Sequence, residues 1–260
     1  MILVQIHKKF YTVPQSWNEL SSKQLLACVK VLYSQKQMLD AQVTLFKILT
    51  GASWWRLCLA GPLDIEDKLY LTDFLFEENN LTKNLLPSYP FLYGPADDFN
   101  NLLVQEFIFS EMYYERHKDS KLLHSSDLNM LIATLYRPAK WFYNKKINRS
   151  GDVRKKYNDN LTARYAKVIA KWPLSIKLGI LHWYEGCRLK LIKDNPDVFG
   201  ASGGTAAKYG LWSIMRGIAE KGIHGTINLV ENMFVKVFMM ELNEVVEEAA
   251  RIPKPKPHTT

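Results

Sequence analysis

Cysteine is scarce: Cys28, Cys58 and Cys187 are the only three in 260 residues, and none stands in a C-x-x-C pair or at a metal-ligand spacing. Each lies in apolar, helix-favouring surroundings, so all three are expected as buried, reduced thiols of a reducing compartment. Long apolar runs are missing too. The stretches 174–184 and 232–240 are interrupted by Lys177, His182 and Lys236 well short of the roughly 20 residues a membrane span needs, and no membrane partner is expected. Gln5, His7, Lys8 and Lys9 follow Met1 too soon for a signal peptide's apolar centre, so the chain is expected to stay where it is made. Catalytic signatures are equally sparse. No G-x-S-x-G elbow occurs, and the six histidines (7, 117, 124, 182, 224, 258) have no motif around them.

What the chain does have is apolar content and an uneven charge. A hydrophobic share of 47% supplies a core and excludes disorder of the whole chain. The net charge is +8, but residues 137–193 hold fifteen Lys and Arg against three acids, a net +12, so the remainder nets −4. A basic middle in a mildly acidic frame points to an oriented electrostatic surface for an acidic protein or nucleic acid.

Periodicity predicts a mainly α fold, a helical bundle with a short N-terminal β element. Ile2, Val4 and Ile6 alternate, and residues 10–13 are again β-favouring up to Pro14, which reads as two short strands. Ser21 and Gln24 have capping-box spacing ahead of Leu25, Val29 and Leu32. A second helix is expected over 38–49 with a glycine stop at Gly51. Trp54, Trp55, Leu57 and Leu59 read as a compact apolar knot before Gly61-Pro62, followed by a third helix through Ile65, Leu69 and Phe74. Prolines and Gly94 make 79–95 a loop or short hairpin, and the expected boundary between an N-terminal subdomain, 1–96, and a main bundle, 97–250. In that bundle Asp97 or Asp98 is expected to cap a helix to about Arg116, and Ser125 or Ser126 one ending near Leu135. Helix returns at about 160, breaks at Trp172-Pro173 and resumes to Lys193, and two more helices are expected over 206–220 and 226–249. Residues 251–260, with Pro253, Pro255 and Pro257 between lysines, read as a disordered tail.

Two constellations invite chemistry and fall short of it. The run Gly200, Gly203, Gly204 to Lys208 lacks a lysine directly after its glycine and a preceding strand, so it reads as a connector rather than a phosphate loop. His182 and Glu185 share a helix face, and Glu106, Glu111 and Glu115 share another helix. A di-metal bundle needs Glu-x-x-His on two helices, whereas here His182 precedes Glu185, once. No metal and no cofactor is expected.

Between 137 and 159 helical periodicity stops, leaving a long loop in which cations alternate with aromatics. Lys140, Lys145, Lys146, Arg149, Arg154, Lys155 and Lys156 surround Trp141, Phe142, Tyr143 and Tyr157, with Arg137 at its start. That mixture suits a protein interface anchored by aromatics and arginine. It equally suits a phosphate-tracking, base-stacking surface, or a solvated loop whose rings fold onto the core. These twelve residues are the expected partner-binding set. Arg137 is the one for which a structural role, tying helix ends together by hydrogen bonds, is also expected.

Three stretches resemble proteins of tailed-phage and prophage structural modules. Phe10-Tyr11-Thr12-Val13-Pro14-Gln15-Ser16-Trp17-Asn18-Glu19-Leu20 is similar to their opening, where a hairpin leads into a helix. Glu106-Phe107-Ile108-Phe109-Ser110-Glu111-Met112-Tyr113-Tyr114 and Leu131-Ile132-Ala133-Thr134-Leu135-Tyr136-Arg137-Pro138 look like the helix and Tyr-Arg-Pro turn of tail-assembly, chaperone-like proteins. The resemblance covers residues 1–185 and implies a non-enzymatic protein, either a virion component or a chaperone of another tail protein, acting through contacts with other tail or virion proteins in the bacterial host cytoplasm or in the virion. The long acidic or disordered extension of some such chaperones is not seen here, which leaves chaperone against virion subunit open. The alternative is nucleic-acid binding through the basic middle, and an uncatalogued enzyme is the third reading.

Overall fold

The alternation at the N-terminus becomes an antiparallel hairpin, β1 (Ile2–Ile6) with β2 (Lys9–Val13), paired from Ile2 opposite Val13 to Ile6 opposite Lys9. Val4, Ile6 and Val13 face the core, while Leu3 and Phe10 face out. The computed structural model describes residues 1–34, 38–143, 151–200 and 226–251, together with Gly210 and Met215. It is mainly α-helical, with this hairpin and one further small sheet.

α1 (Ser22–Leu32) starts at the expected capping box: the Ser21 hydroxyl accepts from the Gln24 N–H, and Gln24 Oε1 accepts from the Ser21 N–H at 3.0 Å. α2 (Met38–Thr50) stops at Gly51, whose φ of 64° lies in the left-handed region that glycine tolerates. Beyond this the expectation needs correcting. In place of an apolar knot and one helix stand α3 (Trp54–Ala60), α4 (Pro62–Glu66) and a 3₁₀ segment Leu69–Leu75. Gly61 at φ 85° and Pro62, which has no N–H, separate the two helices. So short a helix turns one stripe inward, and only Leu57 of α3 is buried; Trp54, Trp55 and Leu59 are exposed.

The 79–95 segment carries β3 (Ser88–Tyr89) and β4 (Leu92–Tyr93), to which β5 (Arg137–Pro138) adds as a third strand. Its start is stitched to parts of the chain on either side of it: Asn18 Oδ1 accepts from the N–H groups of Thr82 and Lys83, and Trp183 Nε1 donates to the Thr82 carbonyl. One continuous apolar cluster takes Val4, Leu25 and Leu49 from one side and Leu131, Trp183 and Leu242 from the other.

α5 (Val104–Ser120) begins later than expected because Asp97 and Asp98 are used elsewhere. The Asp97 carboxylate accepts from the Asn84 N–H at 2.7 Å, and Asp98 pairs with Lys236. α6 (Ser126–Leu135) is capped by Ser125, as expected. α7 (Asp159–Ile169) and α8 (Leu174–Asp194) are separated at Trp172-Pro173, and the short α9 (Pro196–Gly200) follows. The last expected helix is two, Ile227–Glu231 and Val235–Arg251, because the Met233 carbonyl and Val235 N–H bond to residues 104 and 102. All of the expected 206–220 helix but Gly210 and Met215, most of the glycine run and the tail beyond Arg251 lie outside the described residues.

α8 is the axial helix, burying Ile176, Leu178, Ile180, Leu181, Trp183, Tyr184, Cys187 and Leu191. Gly186 is required there, since a Cβ would lie 2.3 Å from the Leu81 carbonyl oxygen. Of the cysteines, Cys28 and Cys187 are buried as expected, but Cys58 is exposed on the outer side of short α3.

His182 is half-buried at the edge of the core: its ring packs 4.0 Å from that of Trp17, its Nε2 is buried without a partner, and burial pushes its pKa down to about 4. The folded value lies below the unfolded one, so this stability is full above about pH 6.5 and lost as pH falls towards about 4. Burial raises Glu111 and Glu185, whose protonation in acid works the other way, so the comparison must be with a non-titrating ring. Between pH 7 and 4.5, wild type is expected to lose about 2–3 kcal/mol more unfolding free energy than His182→Phe in urea titrations. Parallel curves for the two proteins would contradict a neutral buried imidazole.

Candidate functional site

The basic, aromatic segment is built outward from the end of α6. Pro138 prevents helix at Arg137, so the chain leaves Leu135 extended through Tyr136, at φ −103° and ψ 117°. Tyr136 is fully buried and its hydroxyl donates to the Leu86 carbonyl at 2.6 Å. Gly94 makes room for its ring, since a Cβ there would lie 2.5 Å from a ring carbon. β5 then pairs with β4, Arg137 opposite Tyr93 and Pro138 opposite Leu92.

The expected structureless loop is, at its base, a two-stranded ribbon. Ala139 and Arg154 form a β-bridge, the Lys140 N–H donates to the Val153 carbonyl at 2.9 Å, and the Lys155 N–H to the Pro138 carbonyl at 2.8 Å. Lys140 Nζ caps the Asp152 carbonyl, and the Tyr143 hydroxyl reaches the Gly151 carbonyl. Lys145, Lys146 and Arg149 lie outside the described residues.

Beneath the ribbon the two arginines expected on its surface are interior. Arg137 is 3% exposed, Arg154 1% and Glu106, on α5, 0%. Arg137 Nη2 donates to Glu106 Oε1 at 2.5 Å, its Nη1 to the Thr134 carbonyl and its Nε to the Lys155 carbonyl. That is the helix-end tie expected of this residue. Arg154 grips Asp152 through Nε and Nη2, donates to the Leu135 and Asn101 carbonyls, and brings Nη2 within 3.1 Å of Glu106 Oε2, an ion contact out of line for a hydrogen bond. Two cations against two carboxylates leave the cluster neutral, so burial is tolerable. Tyr157 is buried as well, its ring tilted against that of Phe109 at 5.6 Å with the Arg137 guanidinium over its face. Arg137, Arg154 and Tyr157 therefore leave the contact set, because each is consumed by the interior.

What remains outside is sharply defined. Trp141 is 85% and Phe142 88% exposed, their rings edge to face at 6.4 Å, with Lys155 and Lys156 exposed below them and Lys140 and Tyr143 half-buried. Arg164, Lys167 and Lys171 add exposed cations on and just after α7, while Lys177 is buried and Arg188 is paired with Glu111 and Glu115. The basic middle is thus part surface and part internal counter-charge. Sequence reasoning missed Glu106 and Asp152 as its partners. The signal for Glu106 was a lone carboxylate ahead of Phe107, Ile108 and Phe109, a setting in which a charge must find an opposite one.

The other acidic groups are also engaged. Glu111 accepts from the Tyr184 hydroxyl and both Glu111 oxygens from Arg188 Nε, and Glu185 accepts from Tyr114, while His182 packs on Trp17. Among the described residues no three His, Cys, Asp or Glu side chains converge as metal ligands do, and no helix is long and apolar enough to cross a membrane. No protein-family model matches the chain, and neither a curated protein nor a solved structure does.

Proposed function

We propose that the chain is a non-enzymatic binding protein that presents Trp141 and Phe142 to a protein partner, in the assembly or structure of a phage tail. The observation that carries this is the pair of bare aromatic rings, 85% and 88% exposed, on a ribbon whose base is held by buried charge. Bare tryptophan and phenylalanine are unfavourable in water, and in a partner's pocket they become the anchors that dominate interfaces. A rigid base lowers the ordering entropy that a floppy loop would lose on binding. Exposed Lys155, Lys156, Arg164 and Lys167 fit an acidic rim on that partner. The tail assignment rests on the resemblance of residues 10–20, 106–114 and 131–138 to proteins of phage structural modules.

Nucleic acid is the second reading, carried by the same exposed lysines beside stacking-competent rings. The test is binding of the full chain to other tail proteins of the same module and to single- and double-stranded DNA, at about 50 and 200 mM salt. A tail protein held at both salt concentrations, with Lys155→Glu/Lys156→Glu weakening it only severalfold, supports the first reading. Binding to DNA alone, falling on the order of a thousandfold between the two conditions and abolished by the charge reversal, supports the second.

A further inference from the structure

We infer that the face made by α2, α3 and α4 is a self-association surface, on which two copies of the chain pair about a two-fold axis. This is independent of the ribbon and of the function proposed for it.

The face is apolar far beyond what a solitary helix pair exposes. Met38 and Leu39 of α2, Trp54, Trp55 and Leu59 of α3 and Leu63 of α4 are each between 59% and 79% exposed. Taking about 200–250 Å² for each indole and somewhat less for each aliphatic side chain, they present roughly 800 Å², which is the area one partner contributes to a standard interface and above the few hundred Å² typical of a monomer's patches.

Shape suits a second copy as the occupant. Leu39, Val43, Trp54, Leu57, Cys58 and Ile65 line a groove of about 530 Å³. In α3 the positions 54, 57, 58 and 61 form one helical stripe along it, so Trp55 and Leu59, one residue on, project from its flank. A cleft and a ridge side by side on one face are what an isologous contact requires, because the two-fold places each copy's ridge in the other's cleft. Charge agrees. Lys47, which lies over the Trp54 ring, and Arg56 are at the α3 end, whereas Glu66 and Asp67 are at the α4 end, where Asp64 is already paired with Lys68. A two-fold near Gly61, where α3 passes into α4, sets the basic end of one copy against the acidic end of the other. A nucleic acid or an anionic lipid surface would meet the acidic end unfavourably.

Cys58 supplies an internal reporter. It lines the groove and is exposed, while Cys28 and Cys187 are buried with thiols pushed up by desolvation, that of Cys28 to about 12. Only one thiol of the folded chain is therefore open to reagent.

The experiment is light scattering after size exclusion, across loading concentrations from micromolar to hundreds of micromolar, on wild type, Trp55→Glu and Leu63→Glu. Both altered positions are exposed, so circular dichroism and melting should match wild type. Wild type is expected at twice the 30.1 kDa of one chain, and each variant at 30.1 kDa, with dissociation at least a hundredfold easier. The rate at which Cys58 reacts with an aromatic disulfide reagent should fall at least tenfold on dimerisation. Wild type remaining at 30.1 kDa throughout overturns the inference, whatever other molecule the groove is then found to take. A dimer that survives both substitutions with Cys58 fully reactive overturns it as well, by placing the contact elsewhere.

Discussion

Glu106→Ala is expected to lower unfolding free energy by about 3–5 kcal/mol, because it leaves Arg137 and Arg154 charged, buried and short of an anion. In a chain of this size that corresponds to a fall in melting temperature on the order of 10 °C. The effect comes from the unpaired cations rather than from any large net worth of the ion pairs, since desolvation offsets most of their Coulomb attraction. The two contributions separate in a triple variant, Glu106→Leu with Arg137→Met and Arg154→Met. It should recover most of the loss, because no buried charge is stranded and Asp152, with its side chain 15% exposed, can turn to water. Chemical denaturation of the three proteins decides it. A Glu106→Ala protein within about 1 kcal/mol of wild type would mean that water or rearrangement satisfies the arginines, against the burial described.

At Trp141 and Phe142 the expectation is reversed, with a large effect on binding and almost none on folding. Trp141→Ala and Phe142→Ala should each weaken the partner complex by about 2–4 kcal/mol, roughly 30- to 700-fold in Kd, as aromatic anchors do. Melting should stay within about 0.5 kcal/mol of wild type, since both rings are already in solvent. Lys155→Ala should cost under about 1 kcal/mol and act mainly on the association rate, as rim charges do. Titration calorimetry against the captured partner measures all three. Equal affinities for wild type and both aromatic variants would remove the ribbon from the account of binding.

How much of the structure is legible in the sequence depends on how local each cause is. Ser21 and Gln24 are three residues apart, and their capping box was legible because both partners lie within one helical turn. Ser125, Gly51 and Trp172-Pro173 were readable for the same reason. Apolar character alone makes Trp54, Trp55, Leu57 and Leu59 a compact knot, and periodicity says that a stripe is apolar without saying which neighbour covers it. Asp97 was a reasonable cap by type, and it was diverted by the Asn84 N–H thirteen residues away.

The candidate site divides along the same line. That the chain leaves helix after Leu135, in a stretch that combines cations with rings, was set by Pro138 and by composition, so the sequence by itself determined that a basic, aromatic excursion would begin there, along with a mainly helical fold and its N-terminal hairpin. Which cations face a partner was decided only by tertiary structure. Arg137 and Arg154 are chemically no different from Arg164, and they became internal because α5 delivers Glu106 beneath them from 31 residues before Arg137. Desolvating a guanidinium is tolerated only where a carboxylate and several carbonyls converge. Such convergence belongs to the packing of α5, α6 and the ribbon, and no single stretch of the chain contains it.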